Sequence, residues 1–417
     1  MKNMSYLMTC FGVALLPILG LAADAGVEAK IDPASYDCFK LRDGLENCRI
    51  KFEREKKGRV AFLGGSITAA RWPGNAWHFS IRSYLKEKFP HTEFDFIQTG
   101  MDGQGTTPHA FRFARDVLKN GTVDLLFVEA AVNDGKQFGW MGYGAVNAVR
   151  GMEGIVRQAR LANPFMDVVI LHFADGHQDD FNKGKTPPAI ECHEKVAEYY
   201  GVPSNNMAQE VARRERDGEF NWAKDFSGIH PNVFGSAVFS RSIFRMLDAA
   251  WKMPLAAEAQ LKPCRLPAKP LDEQSYFRAK LVDIQKAILG EGWRMVPNWK
   301  PAEGYKGVTQ YGFVNVPALV SEKPGSTLHL KFTGTGVGLW GATGPDAGNF
   351  EYSIDGGAFK TCCPWGNWCM GGYFACPVVL NGDLAPGAHE LGLKVAEKSD
   401  PNSKGTAVQI MHFFVNQ

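Results

Sequence analysis

The sequence lacks an excess of charge of either sign and, beyond its first residues, lacks any long apolar run. Its 417 residues include 46 Lys and Arg against 44 Asp and Glu, a formal net charge of +2. Because nucleic acids and anionic membranes attract concentrated positive charge, neither is expected as a partner. No later segment is long and apolar enough to span a bilayer, and internal repeats are missing. What remains is an ordinary globular composition with enough chain for two domains.

The long apolar run lies at the N-terminus. Lys2 precedes it, the run extends from about Tyr6 to Leu21, and small residues follow. This pattern is typical of a secretory signal peptide, predicted here over residues 1–23, so we expect a soluble protein that is secreted or periplasmic. Cleavage would remove Cys10 and turn nine cysteines into eight, an even number that fits disulfides in an oxidising compartment.

Residues 24–253 are predicted to form an α/β domain that starts with a lead-in helix around Cys48. Short apolar strands then alternate with amphipathic helices. The strands are predicted at 60–63, 94–97, 125–128 and 168–171, and the helices at 76–88, 107–119, 146–161 and 189–200. Near-continuous apolar strands separated by helices indicate a parallel sheet that is covered on both faces. Such a sheet places its chemistry at the carboxyl ends of the strands.

The remainder of the chain has a different character. Several prolines mark residues 254–290 as a linker, which also contains a predicted helix over Ser275–Leu289. Residues 291–417 alternate short strands with glycine turns, which is typical of a β-sandwich, jelly-roll-like in arrangement. The strands are predicted at 328–332, 336–340, 350–354, 390–393 and 408–414. The sequence therefore predicts an α/β domain followed by a β domain.

Four short segments carry candidate chemistry. Ser66 follows the first strand, directly after two glycines, a position that suits an exposed nucleophile. A helix N-cap or a phosphate-binding turn would give the same pattern. Gly103 follows the second strand with an amide that no side chain obstructs, and Asn133 follows the third and offers a carboxamide donor. His230 comes back late in the chain as a candidate general base. Taken singly, the loop segments are equally compatible with ordinary turns.

In this order, the segments at 64–68, 100–103, 132–134 and 229–231 resemble the four sequence blocks of the SGNH (GDSL-like) hydrolases. The Gly-Gly-Ser-Ile-Thr form of the first block is similar to that of secreted, often carbohydrate-directed members. The resemblance covers about residues 59–247 and implies a flavodoxin-like three-layer α/β/α fold. It also implies ester hydrolysis through an acyl-enzyme, with Ser66 as the nucleophile and His230 as the base. The amides of Ser66 and Gly103 and the side chain of Asn133 would then form the oxyanion hole.

One position departs from the family pattern. The family usually carries an aspartate three residues before the histidine, and Ser227 stands there in this chain. Asp225 is a candidate substitute if the loop bulges, and a backbone carbonyl that holds the ring of a Ser–His dyad is the alternative. Loss of the orienting carboxylate costs about 10⁴ in turnover in a serine protease triad, so the departure keeps a non-hydrolytic interpretation open.

Two clusters invite a metal-site interpretation without matching one. Two histidines and two aspartates follow the fourth strand: His172, His177, Asp179 and Asp180. Their spacing fits no known ligand set, so a solvated loop that lines the cleft is favoured. Four cysteines in the second domain are spaced unevenly for zinc, and disulfides are favoured among Cys362, Cys363, Cys369 and Cys376. The sequence thus predicts no metal and no cofactor, and Cys38–Cys48 as a plausible local disulfide.

The leading hypothesis is a secreted serine esterase that removes acyl groups, acetyl above all, from an acylated glycan. A carbohydrate-binding protein on the same scaffold, with Ser227 marking lost or altered catalysis, is the first alternative. A lipase or thioesterase is the second. Trp365, Trp368 and Tyr373 would provide an apolar platform for sugar rings in the first two cases, although they are equally suited to the core of the sandwich.

Overall fold

The computed structural model describes residues 33–70, 76–137 and 144–417. The signal peptide predicted over residues 1–23, and Cys10 within it, lie outside the described residues. Within the three described ranges, no helix has both the length and the apolar character that a membrane crossing requires.

A six-stranded sheet forms the centre of the first domain. Its strands are β1 (Phe39–Lys40), β2 (Lys57–Gly64), β3 (Glu93–Gly100), β4 (Leu125–Glu129), β5 (Asp167–His172) and β6 (Ser204–Asn206). They lie in the order β1-β6-β5-β4-β2-β3, and only β1 pairs antiparallel to its neighbour. The five parallel strands follow the order of flavodoxin-like folds, second-first-third-fourth-fifth, as predicted.

Helices cover both faces of this sheet. They are α1 (Glu46–Ile50), α2 (Ser66–Ala69), α3 (Trp77–Lys88), α4 (Thr106–Asp116), α5 (Ala131–Gln137), α6 (Ala145–Ala162), α7 (Pro188–Tyr200), α8 (Met207–Arg216), α9 (Trp222–Asp225) and α10 (Val233–Ala250). Side chains alternate along β2, so Ala61 packs in the apolar cluster of α4 and α6, and Phe62 packs in that of α3 and α10. The predicted three-layer α/β/α domain is confirmed. The lead-in helix is α1, which continues into a π-helical turn at Lys51–Glu55.

Two sheets form the second domain. Their strands are β7 (Ala279–Val282), β8 (Ile288–Leu289), β9 (Arg294–Trp299), β10 (Val308–Thr309), β11 (Val316–Ser321), β12 (Thr327–Gly334), β13 (Gly336–Thr343), β14 (Phe350–Ile354), β15 (Lys360–Cys362), β16 (Gly372–Asn381), β17 (Gly387–Val395) and β18 (Val408–Asn416). One sheet has seven strands, in the order β10-β16-β13-β18-β11-β9 with β7 beside β18, and the other has five, in the order β15-β14-β17-β12-β8. Apolar side chains of both, such as Leu330 and Phe413, share one core, so the predicted β-sandwich is confirmed.

The helix predicted over Ser275–Leu289 is wrong. This segment forms two 3₁₀ turns, at Tyr276–Arg278 and Ile284–Lys286, and the strands β7 and β8. β7 pairs with β18 and β8 pairs with β12. The edges of the two sheets thus take up the backbone hydrogen bonds of the segment, and tertiary pairing overrides its helical pattern.

The structure shows no disulfide among the described cysteines, so it does not support the disulfides predicted from the sequence. Cys38 and Cys48 do not form the expected local pair. The thiol of Cys38 donates to the carbonyl of Tyr36, whereas that of Cys48 is buried under α1 and donates to the carbonyl of Leu45. Strand β1 and the turn at residues 42–43 lie between the two cysteines.

The two domains share an apolar junction. Phe111 of α4 packs on Phe414 of β18 with ring centroids 4.3 Å apart and ring planes tilted by 31°, and both rings belong to an apolar cluster that includes residues of both domains. Arg150 of α6 adds ion pairs to Asp272 and Asp383. The sandwich therefore packs directly against α4, the helix that follows the loop after β3.

A buried carboxylate at the amino ends of the parallel strands gives a prediction for stability. Asp167, the first residue of β5, accepts the amide of Cys48 at 2.8 Å, and burial raises its pKa to about 7. The folded state then binds a proton that the unfolded state releases, so Asp167 lowers stability progressively as pH rises from about 4 to about 7. We expect Asp167→Asn to gain stability relative to the native protein as pH rises. The free energy of unfolding of the variant, minus that of the native protein, should be roughly 2–4 kcal/mol larger at pH 8 than at pH 4.5.

Urea unfolding at the two pH values measures this difference. Asp95→Asn, which changes an exposed carboxylate on β3, is the matched control. Its free energy of unfolding should differ from that of the native protein by the same amount at both pH values. An Asp167→Asn effect of equal size at both pH values would contradict the prediction.

Candidate active site

Ser66 and His230 meet at the carboxyl edge of the first sheet. β2 ends at Gly64, and Ser66 is the first residue of the short helix α2, so its partly buried side chain stands at the end of the strand. His230 lies in the loop between α9 and α10, and its Nε2 is 2.8 Å from Oγ of Ser66. This is the distance across which an imidazole takes a proton from a serine hydroxyl.

A buried glutamate supports the turn that carries Ser66. Glu129 is the last residue of β4 and is 1% exposed, and its Oε1 accepts the amide of Gly65 and the hydroxyl of Thr68, both at 2.7 Å. Burial raises its pKa. A Cβ at Gly64 would lie 2.2 Å from the same oxygen, so only glycine lets the carboxylate approach this closely. The sequence analysis missed Glu129, although a glutamate that closes an otherwise apolar strand was a usable signal.

The loops that carry the predicted oxyanion donors lie beside Gly65. A Cβ at Gly65 would lie 2.0 Å from Oδ1 of Asn133 and 3.4 Å from the carbonyl oxygen of Gln104, so both segments pack directly on the residue before Ser66. Gly103 is exposed in the turn after β3 and has a φ of +71°, a conformation that glycine adopts without strain. The structure thus brings the segments of Ser66, Gly103 and Asn133 to one place.

The histidine loop is closed by Asn232 and not by an aspartate. The side chain of Asn232 donates to the carbonyl of Asp225 at 2.7 Å and accepts the amide of Gly235 at 3.0 Å, which also caps α10. Ser227 takes a left-handed φ of +60° in the bend that results. Among the described residues, the bond to Ser66 is the one hydrogen bond of the His230 ring. Asn232 therefore holds the backbone of the loop that carries His230.

Asp225 is the last residue of α9, before the loop that carries His230, but its carboxylate is bonded away from the histidine. Its carboxylate accepts the amide of Asn221 at 2.7 Å, at the start of α9. The structure shows no hydrogen bond between this carboxylate and His230, and none from a backbone carbonyl of the described residues to the ring. Of the predicted catalytic residues, Ser66 and His230 are brought into contact and Asp225 is not.

We expect Asp225→Asn to change kcat on an aryl acetate by less than about threefold. Oδ1 of the new asparagine can accept the same amide of Asn221, and no charge paired with His230 is lost. Steady-state rates measure this, with Asp225→Ala as the variant that also removes the loop contact. A loss of more than about tenfold in Asp225→Asn would show that the carboxylate acts on His230 during turnover.

Asp134, next to Asn133, and His172 make structural contacts. Asp134 is 3% exposed and its carboxylate accepts the amide of Thr106 at 2.9 Å and bonds to His193 at 2.8 Å. It thereby ties α5, which carries Asn133, to the start of α4. His172 pairs with Glu194 in the interior, and burial lowers its pKa.

The histidines and aspartates in the loop after β5 do not form one cluster. His177 is exposed and bonds to Asp175, whereas Asp179 pairs with Lys183. In the part of the chain that the structure describes, no three His, Cys, Asp or Glu side chains are grouped as metal ligands would be. Trp365 and Tyr373 are each 7% exposed, which favours the core role over a sugar platform for these two rings.

With this geometry in hand, known proteins give a family for the first domain. Residues 62–238 match the model of the GDSL-like lipase/acylhydrolase family. The first domain is a GDSL-like (SGNH) hydrolase domain. The matched segment includes Ser66, Gly103, Asn133 and His230, and the match assigns this domain to the carboxylic ester hydrolases. No curated protein matches the chain in sequence.

Solved structures resemble this chain over both of its domains. A two-domain esterase active on acetylated mannans, co-crystallised with mannopentaose, superposes with a TM-score of 0.70 at 18% identity, over 91% of this chain and 98% of that chain. A second crystal structure of a two-domain esterase active on acetylated mannans superposes with a TM-score of 0.70 at 18% identity, over 91% of this chain and 99% of that chain. The likeness shows that the succession of a GDSL-like domain and a β-rich domain is a shared fold.

Proposed function

We propose that this chain is a serine esterase that removes acyl groups, acetyl in particular, from an oligosaccharide or polysaccharide. The observation that carries the proposal is the 2.8 Å contact between Ser66 Oγ and His230 Nε2 inside a GDSL-like domain. The glycan part is supported by the fold shared, over 91% of the chain, with an esterase that is active on acetylated mannans.

Acylation begins when Ser66 Oγ attacks the ester carbonyl carbon while His230 Nε2 takes the hydroxyl proton. The carbonyl oxygen becomes an oxyanion, which the Ser66 and Gly103 amides and the Asn133 side chain stabilise, each donor by about 3–4 kcal/mol. The tetrahedral intermediate then collapses. The bond to the sugar oxygen breaks, His230 returns its proton to that oxygen, and the deacetylated glycan leaves an acetyl group on Ser66.

Deacylation repeats these steps with water. His230 takes a proton from a water molecule that attacks the acetyl carbonyl, and the same donors hold the second oxyanion. The bond to Ser66 Oγ breaks, the serine regains its proton from His230, and acetate departs. The cycle needs no group other than the residues named and water.

Two alternatives remain as outcomes of the test. A carbohydrate-binding protein without catalysis would need no serine within proton-transfer distance of a histidine, and the contact of Ser66 with His230 favours the enzyme. A lipase or thioesterase would use the same pair on a long acyl chain. We also propose export, which is supported by the apolar run between Lys2 and small residues Ala22 and Ala23.

Acetate release from acetylated manno-oligosaccharides, acetylated xylo-oligosaccharides and an aryl acetate tests the proposal. We expect release from at least one acetylated glycan by the native protein. No release from any acetylated glycan or aryl acetate would sink the esterase proposal, and hydrolysis restricted to long-chain acyl esters would establish the lipase alternative.

A further inference from the structure

The second domain reaches the loop that carries Gly103. Gln310, in the turn after β10, is 6% exposed, and its Nε2 donates to the carbonyl oxygen of Asp102 at 2.9 Å. Gln104, which is 1% exposed, donates to the same oxygen at 3.1 Å. The carbonyl before Gly103 is therefore held by two buried amides, one from each domain.

Both amides are themselves fixed to β16. The amide of Ala375 donates to Oε1 of Gln310 at 2.7 Å, and the carbonyl of Ala375 accepts from Gln104 at 3.2 Å. The backbone amide of Gln310 also donates to the carbonyl of Tyr373 at 3.0 Å. Because both glutamines are buried and bonded to β16, they hold the carbonyl of Asp102, and with it the loop, against the sandwich.

The hydrogen bonds to the Asp102 carbonyl also determine the direction of the Gly103 amide. The peptide between Asp102 and Gly103 is trans and planar, so its C=O and its N–H point in opposite directions. Two donors on the Asp102 oxygen consequently fix the direction of the Gly103 amide, which is turned away from the glutamines. Gly103 itself has no side chain and a φ of +71°, a backbone conformation that glycine adopts without strain.

We propose that Gln310 of the β-sandwich domain is a positioning residue for the oxyanion donor Gly103. The proposal rests on the esterase function proposed above, because it concerns a donor of that reaction. Through Gln310 the sandwich domain then affects the rate of the reaction itself, and this effect extends to small esters that are too short to touch a sugar-binding surface. An oxyanion donor that is misdirected stabilises the transition state less while ground-state binding is unchanged.

The test uses the full chain with an aryl acetate, and two substitutions of Gln310. Gln310→Ala removes both bonds. Gln310→Glu keeps an acceptor for the amide of Ala375 but removes the donor to the carbonyl of Asp102. Gln409→Ala is the matched control, because Gln409 is also a buried glutamine of the sandwich, 5% exposed, and lies on β18. Burst titration counts the reactive serines, so that kcat is expressed per competent site.

We expect kcat per titrated site to fall about 10- to 100-fold in both Gln310 variants, with KM within about threefold, and to stay near the native value in Gln409→Ala. A role in folding alone would lower the fraction of titratable sites and leave kcat per site unchanged, which would overturn the proposal. Native rates in Gln310→Glu would overturn it as well. If the native protein itself hydrolyses no ester, the proposed function fails, and this inference fails with it.

Discussion

The Ser66→Ala variant is expected to hydrolyse acetyl esters at least about 10⁵ times more slowly than the native protein. Without Oγ no acyl-enzyme can form, and the remaining oxyanion donors can assist only a direct attack by water. Alanine leaves the turn intact, because the amide of Gly65 and the hydroxyl of Thr68 keep their bonds to Glu129. The loss should therefore appear in kcat, while the thermal midpoint of unfolding changes little.

Acetate release under saturating substrate measures the effect of Ser66→Ala. Ser83→Ala is the control, because Ser83 is an exposed serine on α3. Retained binding of an acetylated oligosaccharide by Ser66→Ala would show that the site still accepts its substrate. Activity within tenfold of the native level would mean that another group is the nucleophile.

The His230→Ala variant should lose activity to a similar extent, by about 10⁴–10⁶. A serine hydroxyl is a weak nucleophile until a base takes its proton, and the sugar oxygen leaves poorly unless a proton is returned to it. Because the two residues act as one unit, the double variant Ser66→Ala with His230→Ala should be hardly slower than either single variant.

His91→Ala is the matched control for His230→Ala, since His91 is an exposed histidine between α3 and β3, at the other edge of the sheet. It should keep the native rate. Losses of the two single variants that multiply in the double variant would contradict a shared proton transfer and would assign Ser66 and His230 to independent roles.

The sequence was sufficient for the fold of the first domain and for the two residues in contact. Apolar strands and amphipathic helices are local patterns, and a parallel sheet brings the ends of its strands to one edge. Ser66 and Asn133 each come shortly after the end of a strand, so the meeting of their segments depended only on the type of sheet. His230 was found through its block in the family pattern.

The supporting residues could not be found in this way. Glu129 and Asn232 act through backbone groups that come near only when the turns are folded, and Gln310 acts from another domain. Asp225 was a reasonable substitute on spacing alone, but its carboxylate is taken by the start of α9. The strands β7 and β8 were mistaken for a helix because their pairing partners, β18 and β12, lie far along the chain.

Labelling with a fluorophosphonate, followed by peptide mapping, tests most directly whether Ser66 is a nucleophile activated by His230. Such a probe bonds covalently to a serine whose hydroxyl is activated by a base. We predict one labelled residue, Ser66, with labelling strongly slowed in His230→Ala and unchanged in His91→Ala. Label on a different serine, or ester hydrolysis by a native protein that takes up no label at Ser66, would contradict it.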